Sequence, residues 1–263
     1  MESGWMAAGA SRVEAHDRIP STNDRLRELA REGAPPFTVV LAREQTEGRG
    51  RRGRRWASAR DAGLWVSVLL PPPPGGPPGV VTLLVGLAAA RAIEAVAGVR
   101  VGLKWPNDLF VRRVPGTSES GKVAGVLCEV AGPAVAPRIV AGVGVNLQRP
   151  AGAAEEGALK GASFLVESAG KELVRDRLAE ALLVELRRWV DPPSDRLEPG
   201  AAAEWEARDL LYGEWVVPEF GPAGTGAGIT SEGGLRVRAE DGGVHEVGGG
   251  SVLPSRALRL REG

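Results

Sequence analysis

The apolar and polar positions along the chain follow two periods in turn. Ser21-Thr22-Asn23 precedes DRLRELAREG, in which Leu26, Leu29 and Ala30 share a face and Gly33 marks a stop, so this spacing predicts a helix. FTVVLARE (37–44) and GLWVSVLLP (63–71) are short apolar runs and predict buried strands. VTLLVGLAAARAIEAVAG (81–98) is apolar nearly all round, which predicts a helix at the centre of the core. Four more strands are predicted from VGLKWP (101–106), DLFVRR (108–113), KVAGVLCEV (122–130) and RIVAGVGVNL (138–147). KELVRDRLAEALLVELRRWV (171–190) has the pattern of an amphipathic helix.

Between these elements the signals weaken. Residues 1–18 lack periodicity and read as a tail or a first edge strand. PPPPGGPPG (71–79) excludes regular structure, VPGTSESG (114–121) is a polar loop, and 148–170 carries few order signals. A short helical piece surrounds Trp205. From Leu211 onward EWVVPEF, GAGITSE, LRVRAE and VHEV read as brief strands separated by glycine turns. They predict a β unit of roughly 50 residues, compatible with an SH3-like barrel.

Composition narrows the function classes. Of 263 residues, 43% are hydrophobic and 25% charged, an ordinary globular balance. Lys+Arg and Asp+Glu both total 33, so the net charge is zero, which favours a small anionic ligand over a nucleic-acid polymer. A single cysteine, Cys128, rules out an internal disulfide and suits a cytoplasmic setting. Inside an apolar strand it reads as a core residue rather than a nucleophile. The N-terminus lacks an apolar leader, and no unbroken apolar run approaches the ~18 residues of a membrane span. With only His16 and His245, a Cys/His zinc cluster is excluded and a Ser-His-Asp triad is disfavoured.

The stretch TEGRGRRGRRW (46–56) concentrates the candidate chemistry. Gly48, Gly50 and Gly53 match the G-x-G-x-x-G spacing of a dinucleotide turn, but that turn must open a helix, and RRWASARDAGLWVSVLLP leads back into a strand. No G-K-[ST] follows, so a P-loop is excluded too. Two readings remain: a solvated basic loop, or a glycine-flexible loop whose arginines fold over a phosphate or carboxylate and order around it. In the second, Trp56 offers an aromatic face to a purine.

Four separated motifs then occur in order: STN (21–23), EQTEGRGRRGRRW (44–56), KWPNDL (104–109) and GKVAGVLCE (121–129). A shorter fifth, GVGVNL, lies at 142–147. With them the chain resembles the biotin–protein ligases over about 20–260. The resemblance implies an α+β fold: a mixed-sheet catalytic domain of the class II aminoacyl-tRNA synthetase type over 19–205, after a tail at 1–18, with an SH3-like domain over 211–263. It also implies ATP-dependent formation of biotinyl-5′-AMP, then transfer of biotin to a lysine of a biotin carboxyl carrier protein. Mg2+ would assist, its protein ligands being unknown. The motifs begin at Ser21, so the expectation is a monofunctional ligase without the DNA-binding domain of some members. No nucleic-acid or membrane partner is expected, and a homodimer remains open.

Residue by residue, the resemblance assigns Ser21, Thr22 and Asn23 to the ureido head of biotin, although the same residues also suit a helix N-cap. Gln45 joins them, or is an ordinary polar strand end. Arg49, Gly50 and Arg51 correspond to the loop over the biotin carboxylate and nucleotide phosphate, with Arg51 as clamp on the acyl-adenylate. Lys104 and Asn107 correspond to ATP-phosphate or metal ligands and Asp108 to a carboxylate near the reacting centre, while W-P-N-D also reads as a turn. Lys122 is assigned to the carboxylate and α-phosphate as the main catalytic residue, Trp56 to ATP and Asn146 to adenine. A lipoate–protein ligase of the same fold is the alternative, although the R-R-x-S-G-G-G signature of those enzymes is absent.

Overall fold

Runs of β-branched residues are stable only where both sides of the strand are covered, and the layering provides that cover. The computed structural model describes residues 2–71, 79–113, 119–133, 137–151, 159, 161–255, 258 and 260. The proline-rich run at 72–78, the polar-loop positions 114–118 and most of 152–160 lie outside the described residues. In chain order the elements are α1 (Glu2–Ala7), β1 (Arg12–His16), α2 (Thr22–Arg31), β2 (Thr38–Ala42), β3 (Gly63–Leu70), α3 (Gly79–Ala97), β4 (Gly102–Lys104) and β5 (Asp108–Arg112). They continue as β6 (Ser120–Ala131), β7 (Arg138–Asn146), α4 (Leu165–Ala169), α5 (Arg175–Val190), α6 (Pro199–Glu206), β8 (Trp215–Pro218), β9 (Gly224–Ile229), β10 (Leu235–Arg238), β11 (Val244–Val247) and β12 (Val252–Pro254).

A seven-stranded mixed sheet runs β1-β2-β3-β7-β6-β5-β4. Only its β1–β2 pair is parallel, with Arg12 opposite Thr38 and His16 opposite Ala42. Leu26, Leu29 and Ala30 of α2 pack on one face against Val40, Leu69 and Val140. The other face carries Val66, Val68, Val143 and Val145 into a core shared with α3 and α5. The alternation along each strand thus sorts side chains between two different layers. A five-stranded antiparallel sheet, β11-β10-β9-β8-β12, follows at the C-terminus, as an SH3-like unit requires. Its Val216, Leu235 and Val237 belong to the same apolar cluster as the larger sheet.

Several expectations are refined. Of the two readings of residues 1–18, the edge strand is the one the fold adopts: β1 forms the sheet edge, and α1 before it buries Trp5. α5 starts at Arg175, later than its apolar spacing predicts, because Val174 is extended at the cap position. β12, three residues ending in Pro254, is too short to leave a periodic signal. α3 does have the length and apolarity of a membrane span, despite the expectation of no such segment. Its apolar surface is instead covered by β6, α5 and α6.

Candidate active site

Three glycines of the sheet open a cavity on the α2 side. A Cβ at Gly142 would meet Asn23 Oδ1 at 2.3 Å, and one at Gly144 would meet Trp56 Nε1 at 2.5 Å. A Cβ at Gly125 would stand 3.0 Å from the Trp56 ring. Their lack of side chains leaves about 200 Å3 walled by α2, the arginine-rich segment, the β4–β5 turn, β6, β7 and the β12 region.

One end of the cavity is a neutral polar network. Ser21 caps α2, its Oγ accepting from Asp24 N–H at 3.4 Å, which realises the N-cap reading. Gln45 Oε1 accepts from the Thr22 N–H at 2.8 Å and from its hydroxyl at 3.0 Å, satisfying a helix-start donor that would otherwise be orphaned. Gln45 Nε2 donates to Ser58 Oγ at 2.9 Å, which orients the amide. Ser67 Oγ, fully buried on β3, lies 2.6 Å from Asn23 Oδ1 and 2.8 Å from Thr22 Oγ1. Asn23 Nδ2 donates to Glu129 Oε2 at 2.8 Å. Ser21, Thr22, Asn23 and Gln45 all line the cavity.

The other end is cationic. The segment 46–56 folds as a tight hairpin: Trp56 N–H donates to Gly48 O at 2.8 Å and Gly50 N–H to Arg54 O at 2.7 Å. Its tip turns at Arg51–Gly53, with φ of +62° at Arg52 and +71° at Gly53, which glycine adopts without strain. A hairpin leading into β3 excludes the dinucleotide turn, as the sequence predicts. Arg51 reaches Asn107 Oδ1 at 3.3 Å. Burial holds its guanidinium below the ordinary value, with Asp108 opposing. Lys122 Nζ lies 2.6 Å from Asp108 Oδ1 and 5.0 Å from the Trp56 ring centre. Lys104 is also pushed down, mainly by burial, with Asp108 opposing and Lys122 adding to the shift. Lysines this close favour an anion between them.

The W-P-N-D turn is both a turn and a presenter of side chains. It links β4 to β5, and Asn107 Nδ2 donates to Val126 O at 2.9 Å, so the turn is docked on β6. On β6 the register with β5 slips between Leu109 and Phe110, which face Ala124 and Lys122. Val123 and Ala124 are both in the core, so this bulge puts Lys122 and Gly125 on the same cavity wall. Two buried donors of residues that line the cavity, Arg49 Nε and Trp56 Nε1, have no hydrogen-bond partner among the described residues.

Two candidate residues are bonded within the protein. Arg49 points away from the cationic end, its Nη2 donating to Asp24 Oδ1 at 2.7 Å and Glu129 Oε2 at 3.2 Å. Asn146 is not among the residues lining the cavity; its Nδ2 donates to Lys122 O at 3.4 Å and so braces the lysine's main chain. Cys128 is partly buried and packs against the core rather than within it, and burial pushes its thiol up to about 12, which keeps it protonated at neutral pH. Sequence reasoning missed Ser67, Glu129 and Ser251–Leu253 of the C-terminal sheet, the last of which line the cavity mouth. Glu129 was visible as the last residue of GKVAGVLCE, and the i, i+2 glycines of GVGVNL marked the floor.

A family model for the biotin/lipoate A/B protein ligase family matches residues 15–146. The biotin–[acetyl-CoA-carboxylase] ligase of Paracoccus denitrificans is 34% identical over 233 residues, covering 86% of this chain and 93% of that protein. The bifunctional ligase/repressor of Bacillus subtilis is 34% identical over 173 residues, and the matched part spans 50% of that relative's length. Among solved structures, the biotin protein ligase from Aquifex aeolicus in complex with biotin and ATP superposes with a TM-score of 0.76 at 27% identity, covering 93% of this chain and 100% of that one. The chain belongs to the biotin/lipoate A/B protein ligase family.

Proposed function

We propose that this protein is an ATP-dependent biotin–protein ligase. It forms biotinyl-5′-AMP and transfers the biotinyl group to a lysine of a biotin carboxyl carrier domain. The observation that carries this reading is one cavity with two chemically different ends, the Ser21–Asn23 and Gln45 network and the Arg51, Lys104 and Lys122 cluster. A neutral ureido head needs donors and acceptors, whereas a carboxylate meeting a phosphate needs cations. The names of the Paracoccus and Aquifex relatives support the same substrates.

In the first step a biotin carboxylate oxygen attacks the α-phosphorus of ATP and the bond to pyrophosphate breaks. Two like-charged reactants must meet, so Lys122 and Arg51 stabilise the approach electrostatically. Asp108 holds Lys122 by their 2.6 Å ion pair. The hairpin and Trp56 cover the acyl-adenylate and limit its loss to water. In the second step the carrier lysine attacks the acyl carbon and AMP leaves.

The described residues hold no cluster of three or more His, Cys, Asp or Glu side chains fit to bind a metal. Asp108 and Asn107 offer oxygens beside the cations, which fits Mg2+ held by one or two protein oxygens and mostly by substrate phosphates. Such an ion would offset phosphate charge.

The test is to incubate the protein with biotin and Mg·ATP and look for biotinyl-AMP by mass spectrometry, then add a biotin carboxyl carrier domain and look for biotinyl-lysine. A parallel reaction holds lipoate. Activation of lipoate alone would reassign the protein to the other branch of the family.

A further inference from the structure

Glu129 lies on β6 beside the Asn23 end of the cavity and the base of the arginine hairpin, and the proposed reaction gives it no role. Its Oε2 accepts from Asn23 Nδ2 at 2.8 Å and from Arg49 Nη2 at 3.2 Å. Its Oε1 accepts from Arg27 Nη1 at 3.4 Å. Asn23 belongs to the neutral network, and Arg49 is a rung of the hairpin, bridged to Arg55. Asp24 also holds Arg49, at 2.7 Å, but no Asp24–Asn23 side-chain bond accompanies it among the described contacts.

We propose that Glu129 is a positioning residue with two tasks, orienting the Asn23 amide for the ligand head and anchoring the hairpin base through Arg49. This rests on the biotin-ligase reading. The Asn23 amide can present its two faces either way round. A carboxylate accepts only, so Glu129 at 2.8 Å, with the Leu127 carbonyl at 3.4 Å as the weaker second acceptor, draws Nδ2 and leaves Oδ1 to Ser67. The same oxygen draws Arg49 against β6, so the arginine is held from both α2 and β6. The bond is charge-assisted and half-buried, where such pairs are strongest for positioning. Because one oxygen serves both partners, a rearrangement at the head-binding end alters the acceptor available to the hairpin.

Two variants and one control separate this role from bulk stability. Glu129→Ala removes both contacts. Glu129→Gln keeps one oxygen acceptor where Asn23 and Arg49 meet it, but removes the charge and turns its amide donor towards Arg27. Asp24→Asn weakens the hold on Arg49 without touching Asn23. Biotin KM and ATP KM are measured in the biotinyl-AMP assay, together with trypsin cleavage in the arginine hairpin of the full chain. Glu129→Ala should raise biotin KM about tenfold or more and speed hairpin cleavage by a similar factor. Glu129→Gln should speed cleavage less than Glu129→Ala, because the bond to Arg49 loses its charge but not its acceptor, while biotin KM changes less than threefold. Asp24→Asn should speed cleavage and leave biotin KM as in the parent protein.

Parent-level biotin KM and cleavage in a folded Glu129→Ala protein would overturn the proposal. So would equal behaviour of Glu129→Ala and Asp24→Asn in both readouts. If Glu129→Ala does not fold, Glu129→Gln decides, and parent-level cleavage in it overturns the anchoring role. Absence of biotinyl-AMP formation by the parent protein would instead defeat the biotin-ligase reading itself.

Discussion

Lys122 Nζ is 2.6 Å from Asp108 Oδ1, across neighbouring strands β6 and β5, and the same ammonium lies 5.0 Å from the Trp56 ring centre. The lysine is therefore held on two sides with its charge directed at the cavity. Removing it leaves the reacting anions without their central donor. Lys122→Met should lower the rate of biotinyl-AMP formation by about 100-fold or more, with a Tm close to the parent's. Asp108→Asn keeps the lysine but loosens it, so a smaller loss is expected. Pyrophosphate release measured under saturating biotin and ATP checks both.

Arg51 is half-buried and tied to the protein by one hydrogen bond of 3.3 Å to Asn107. A guanidinium held so lightly is available to a ligand. Arg51→Ala should release the acyl-adenylate faster and label lysines on proteins other than the carrier. Retention of the intermediate as tight as in the parent, measured by rapid filtration, would rule out the clamp.

The cavity floor depends on missing side chains. In Gly142→Ala the new methyl would lie 2.3 Å from Asn23 Oδ1, so the amide must shift from its bonds to Ser67 and Glu129. Biotin binding measured by calorimetry should fall by about tenfold or more, with a stability cost of about 1–3 kcal/mol from overpacking. Gly53→Ala tests the hairpin tip differently, because nothing stands within 4 Å of its Cβ and the cost comes only from φ of +71°. Stability should drop by about 1 kcal/mol while the cavity is intact.

The hairpin is also tied to the C-terminal sheet, where Arg52 pairs with Glu219, and Ser251 Oγ donates to the same carboxylate at 3.0 Å. Arg52 and then Ser251 hold the Glu219 carboxyl down from 4.5 to about 2. A carboxyl depressed by folding stabilises fully above its unfolded value and loses that contribution as pH falls through the folded one. The tie should thus persist at neutral pH and loosen only between about 4.5 and 2. Trypsin is inactive there, so amide exchange of residues 50–54 against pH is the measurement. In Glu219→Gln the acid-dependent step should vanish. A step that survives in the variant would assign it to another group.

Local patterning determined most of the elements and two of the site's parts. The apolar spacing around Leu26 and Leu29, the runs in β2 and β3 and the strand–loop–strand context of 46–56 are set by neighbouring residues, and the folded chain keeps them, whereas the hairpin form of the loop is seen only in the fold. The motif residues Lys104, Asn107, Asp108 and Lys122 line one cavity. Tertiary packing decided the rest, because contacts between distant strands are invisible to a local pattern. The β-bulge at Val123 re-phases β6 so that Lys122 and Gly125 face the same cavity, a shift that regular alternation would not place. Arg49 joins Asp24 and Glu129, and Asn146 turns to the Lys122 main chain, because those partners are supplied by α2 and β6. An arginine's or amide's role depends on which carboxylate or carbonyl the fold brings within 3 Å or so, and only the three-dimensional arrangement specifies that.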